Sequence, residues 1–88
     1  MNVTILKAGM KHTPEDGYVG HVHVQVEGHR DEYEVTLHST RGKSWSYGLH
    51  FLHASGKEEE IFAFEEQLEE DDELFDSLVE AARAALRE

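Results

Sequence analysis

The chain has 88 residues, no cysteine and a formal net charge of −11 at neutral pH. That length makes one domain, with a core little larger than one sheet face under helical cover, and the missing cysteines exclude disulfides, thiolate metal sites and thiol nucleophiles. A charge of this sign works against direct contact with nucleic acid or anionic membrane, and makes a basic protein the natural electrostatic complement.

The charge is unevenly placed. Residues 1–57 balance six Lys/Arg against six acids, whereas residues 58–88 carry thirteen acids against Arg83 and Arg87. The opening MNVTILKAGMKH holds no apolar run of signal-peptide length. No stretch approaches the roughly 20 apolar residues of a membrane span. The expected location is therefore cytoplasmic.

Residues 2–8 (NVTILKA) read as a first strand, followed by a loop over 9–17. Within that loop, Thr13-Pro14-Glu15-Asp16-Gly17 has the chemistry of a capped turn. Residues 18–27 are the clearest strand, because Val22, Val24 and Val26 alternate with His21, His23 and Gln25. A turn at Gly28-His29-Arg30-Asp31 leads into a strand over 32–40, where Tyr33, Val35 and Leu37 alternate with Glu34, Thr36 and His38. If Gly28 faces Asp31, then Val26 meets Tyr33, Val24 meets Val35 and Val22 meets Leu37, so one face is wholly apolar. The opposite face then pairs Gln25 with Glu34, His23 with Thr36 and His21 with His38.

Arg41-Gly42-Lys43 makes the next turn, and the strand over 44–53 carries Trp45, Tyr47, Leu49 and Phe51 in phase. Pairing Leu37 with Tyr47, Val35 with Leu49 and Tyr33 with Phe51 extends the apolar face. After Ser55-Gly56-Lys57, residues 58–66 (EEEIFAFEE) fit two readings. Ile61, Phe64 and Leu68 have a helical spacing. A hairpin strand, however, sets Phe62 beside Phe51 and Phe64 beside Leu49, and the strand is the preferred assignment. Residues 67–73 then link to a helix over about 72–87, with a stripe of Leu74, Phe75, Leu78, Val79, Ala82, Ala85 and Leu86. Asp71 or Asp72 is its N-cap, and Arg83 and Arg87 suit its C-terminal end. The expected class is α+β: a single domain over 1–88, with an antiparallel β-meander of four to five strands and one C-terminal amphipathic helix packed on one sheet face.

Three features bear on function. The first is a tract of ten acids within residues 58–73. Glu65, Glu66, Glu69, Glu70, Asp71 and Asp72 are its candidate contacts to a basic protein; the plain alternative is a solvated surface that keeps a small protein soluble and its sheet edges apart. The second is the set of seven histidines. His21 and His23 project from one strand face, and His38 lies opposite in the expected register, a trio suited to Zn²⁺ or to sensing pH, although no spacing such as HExxH accompanies it. The third is an apolar patch of Leu52, Ile61 and Ala63 expected on the face away from the helix, a surface for a homodimer. No G-x-S-x-G elbow, Walker pattern, dinucleotide glycine pattern or calcium-loop arrangement is present. The expectation is a non-catalytic binding or regulatory module without a resident cofactor.

Overall fold

The computed structural model describes residues 2–86. Four strands come first: β1 (Val3–Thr13), β2 (Gly17–Val26), β3 (Tyr33–Ser39) and β4 (Ser46–Phe51). Two helices follow, α1 (Glu58–Glu70) and α2 (Asp72–Ala84). The strands form one antiparallel meander in the order β1-β2-β3-β4. Both helices cover the same face, α2 over β1 and β2, and α1 over β4. The class is α+β with a meander sheet.

The period-two pattern decides what is buried. Val22, Val24, Val26, Tyr33, Val35 and Leu37 point under the helices and meet Phe64, Leu68, Leu78, Val79 and Ala82. Tyr33 stacks on Phe64, with ring centroids 5.3 Å apart. Met10, from β1, completes the core. The stripe expected for α2 is the one that packs: Leu78, Val79 and Ala82 are buried, with Leu74, Phe75 and Leu86 packed against them. Asp71 is its N-cap, and its Oδ1 accepts a hydrogen bond from the Leu74 amide at 3.0 Å.

Four expectations need correction. The segment 58–66 is helical, within α1, so the sheet has four strands and the helical layer two helices. Glutamate is a good helix former and a poor strand former, and three acids fill the first turn, where the helix dipole favours them. Ile61, Phe64 and Leu68 then share the inner side.

The loop expected from residue 9 begins only after Thr13. Gly9 to Thr13 continue β1 and pair with β2 as far as Gly17. Pro14, Glu15 and Asp16 alone make the turn, whose Thr13 Oγ1 accepts from the Asp16 amide at 3.0 Å. Gly17, at φ 75°, takes the left-handed conformation that a three-residue hairpin loop requires.

The β2–β3 register differs from expectation by two residues. Val24 faces Tyr33, Val22 faces Val35 and Gly20 faces Leu37. The connection from Val26 to Tyr33 is longer than a tight turn at Gly28-Asp31. A step of two preserves both faces, so the core is unchanged while every cross-strand neighbour on the outer face is replaced. The β3–β4 register agrees with expectation at Tyr33–Phe51, Val35–Leu49 and Leu37–Tyr47.

The apolar patch of Leu52, Ile61 and Ala63 does not form. Ile61 packs against the core from α1, Ala63 is exposed on that helix, and Leu52 is half-buried beyond β4. Arg87, the last residue expected in the C-terminal helix, lies outside the described residues.

Candidate functional site: an acidic helix with an exposed phenylalanine

Helix α1 presents two unlike sides. Its inner side buries Phe64 and Leu68. Its outer side exposes Glu58, Glu59, Phe62, Ala63, Glu65, Glu66, Glu69 and Glu70. Phe62 is 61% exposed, the most exposed large apolar side chain among the described residues. Helical spacing puts Glu58 and Glu59 one turn before it, and Glu65 and Glu66 one turn after it. The aromatic ring therefore stands in a frame of carboxylates. Asp72 and Glu73, exposed at the start of α2, extend the same charge.

These carboxylates are not neutralised within the fold. Among the described residues, the ion pairs are His23 with Glu34 at 2.9 Å and His53 with Glu32 at 3.2 Å; none joins residues 58–73 to a lysine or arginine. Some acids of the tract have structural work. Glu60 Oε1 accepts from the Arg30 amide at 3.0 Å. Glu69 Oε1 accepts from Tyr47 Oη at 2.8 Å. Asp71 is half-buried, caps α2 and accepts from Gln67 Nε2 at 3.1 Å. Of the six expected contact residues, Glu65, Glu66, Glu70 and Asp72 are thus exposed and outward-facing, while Glu69 and Asp71 also serve the fold.

The acidic layer acts on the tyrosines beneath it. Burial, reinforced by Glu60 and Asp31, pushes the Tyr33 hydroxyl up to about 12. Tyr47 is pushed up to about 12 by burial, then by its hydrogen bond to Glu69 and the charge of Glu65. Asp31 Oδ2 is itself buried without a hydrogen-bond partner, against Gly56.

The histidines lie elsewhere. His21, His23, His38 and His50 belong to the sheet face opposite the helices, by register. The shift between β2 and β3 sets His21 across from Thr36 and His38 across from Val19, so His38 does not join His21. His38 Nε2 instead bonds the Asp16 carbonyl at 3.0 Å. His23 faces Glu34, and their side chains meet. Among the described residues, no three His, Cys, Asp or Glu side chains come together as a metal-ligand set.

Phe62 is the feature sequence reasoning missed, because the strand assignment placed it in the core beside Phe51. The helical spacing of Ile61, Phe64 and Leu68 was the signal that turns it outward. No helix among the described residues is long and apolar enough to cross a membrane. Comparison with protein-family models, curated proteins and solved structures finds no match to this chain.

Proposed function

We propose that this protein is a small non-catalytic module that works by protein–protein contact, docking a basic partner on the outer side of α1 and the α1–α2 junction. Phe62 is the observation that carries this reading. A solubilising surface needs charge and gains nothing from a phenylalanine at 61% exposure. A contact surface gains from both: an aromatic anchor enters a pocket on the partner and supplies affinity, while the surrounding charge steers encounter and selects the partner. The matching surface has an apolar socket rimmed by lysine and arginine.

Among the described residues, no lysine or arginine pairs with Glu65, Glu66, Glu70 or Asp72, which supports the same reading. The test is capture of binding proteins by the wild type, by Phe62→Ala and by a Glu65→Gln/Glu66→Gln/Glu70→Gln triple variant. Glu69 and Asp71 are left intact because they bond within the fold. A basic protein held by the wild type at low salt, and lost by both variants, supports the reading. A partner retained equally by all three proteins removes α1 as the docking surface.

The alternative of a metal- or pH-responsive histidine face has less behind it. Its expected trio of His21, His23 and His38 is separated by the register, and His23 is taken up by Glu34. A zinc titration of the wild type and His21→Ala tests it: binding that the variant loses restores the reading.

A further inference from the structure

The helices cover one side of the sheet and leave the other bare. We infer that this bare face is the contact surface for a second copy of the chain, the two sheets packing face to face. Four observations converge on that occupant.

The first is charge. Within the paired strands, register assigns to this face Lys7, Lys11, Glu34 and four histidines, and Glu27 and Glu32 continue it just beyond β2 and β3; Glu34 is bonded to His23 and Glu32 to His53. Two copies of a −11 chain repel through their helical layers. The sheet face is where they can approach with little like-charge opposition. The lysines sit on β1, one of the two edge strands, where their ammonium groups reach water at the rim.

The second is apolar surface. Two of the four exposed large hydrophobic residues, Leu6 at 46% and Val19 at 47%, fall on this side. Val19 lies on it by alternation with His21. Leu6 is the extra residue of the irregularity between Ile5 and Lys7, opposite His23.

The third is relief. Gly9, His21, Thr36 and Gly48 form one row across all four strands. The His21 ring lies over Gly9, where a Cβ would come within 2.7 Å of Cε1. The His50 ring lies over Gly48, where a Cβ would meet Thr36 Oγ1 at 2.8 Å and His50 Nε2 at 3.0 Å. Side-chain-free positions at both ends of the row, beside the imidazoles, leave a shallow cavity of about 650 Å³ lined by Gly9, Lys11, Val19, His21, His23 and Thr36. Side chains of a facing copy interdigitate at such relief in aligned sheet-on-sheet packing, with the sheets about 10 Å apart.

The fourth is size. The strands have 11, 10, 7 and 6 residues, so at about 3.3 Å per residue and about 4.8 Å between strands the sheet spans roughly 540 Å². A face of that extent suits a small, reversible interface, near the lower bound of about 1,200 Å² buried in total.

Sedimentation equilibrium on the wild type, Val19→Glu, Leu6→Glu and Phe62→Ala tests the inference. The expected result is a wild-type mass of twice 10.1 kDa. Val19→Glu and Leu6→Glu should raise the dimer dissociation constant at least tenfold while keeping the wild-type far-UV spectrum. Phe62→Ala should remain as dimeric as the wild type, which separates this surface from the α1 docking surface. A wild type of 10.1 kDa across the micromolar range overturns the inference, as does a dimer indifferent to both glutamates or one abolished by Phe62→Ala. A wild-type monomer that binds a single-stranded oligonucleotide would assign the face to an anionic ligand instead.

Discussion

The two faces of one sheet are built from the same strands, residue by residue in alternation, and they behave as different materials. On the inner face, Val22, Val24, Tyr33 and Val35 have no solvent exposure at all, and the helices seal them. On the outer face, His21, His23, Glu34 and Thr36 remain half-exposed, and Val19 is bare at 47%. The helical layer repeats the division: Phe64 is sealed, while Phe62, two residues away, stands in solvent. The inner surfaces hold the fold together, and the outer surfaces of α1 and of the sheet are the ones proposed to meet other molecules.

The largest test of this division is on α1 itself. Phe64→Ala removes a fully buried ring stacked on Tyr33 and should cost about 3–5 kcal/mol. For a domain this small, that is a large share of the total stability and lowers the melting temperature by roughly 15 °C or more. Phe62→Ala should stay within about 0.5 kcal/mol of the wild type. Thermal denaturation of the pair checks both, and equal losses would refute the two-sided helix.

Gly17→Ala should come next, at about 2 kcal/mol. It forces a side chain into a positive φ and drives its Cβ to 2.6 Å from the Ser39 carbonyl oxygen, backbone that cannot step aside. Urea midpoints measure it, and an unchanged midpoint would remove the hairpin geometry proposed for β1 and β2. Asp71→Ala should cost about 1 kcal/mol through loss of the α2 cap. Partner binding by this variant, scored on the folded fraction, should be retained if Asp71 is structural first.

Alkaline pH sharpens the comparison from the tyrosine side. Tyr33 and Tyr47 have hydroxyls whose folded values are raised from 10.0 to about 12. Folding therefore favours their neutral forms. The stability they contribute is whole below pH 10 and is lost as pH rises through about 12. In Tyr47→Phe the decline over this range should be shallower than in the wild type, by equilibrium unfolding at successive pH values. Parallel declines would show that the acidic layer does not govern Tyr47.

What was legible in the sequence follows the same physics. Alternation at Val22, Val24, Val26, Tyr33, Val35 and Leu37 specifies which side chains are buried, because a period of two assigns each residue to a face. It does not say how far one strand slides along another. That step is set by the turn, and the segment between Val26 and Tyr33 is long enough to move the register by two. Burial was therefore legible, while the His21–His38 encounter was not. At the β3–β4 hairpin the matches of Tyr33 with Phe51 and Leu37 with Tyr47 define register as well as face. In α1, the run Ile61-Phe62-Ala63-Phe64 alternates aromatic and aliphatic residues as a strand would. The glutamates on either side favour a helix, and the helix decides which phenylalanine is buried. In sequence, Gly9, Lys11 and Thr13 resemble a loop, whereas they are the outward positions of a strand whose Met10 reaches the core.

The proposed docking surface on α1 is tested most directly by titrating a captured basic partner against the wild type, Phe62→Ala and the Glu65→Gln/Glu66→Gln/Glu70→Gln variant over a salt series. Screening shortens the reach of charge from about 30 Å at 0.01 M salt to about 3 Å at 1 M. The expected result is wild-type affinity that falls steeply with salt, a flatter slope for the triple variant, and an affinity at least tenfold weaker for Phe62→Ala at every salt concentration. Three coincident curves would contradict the docking role of α1.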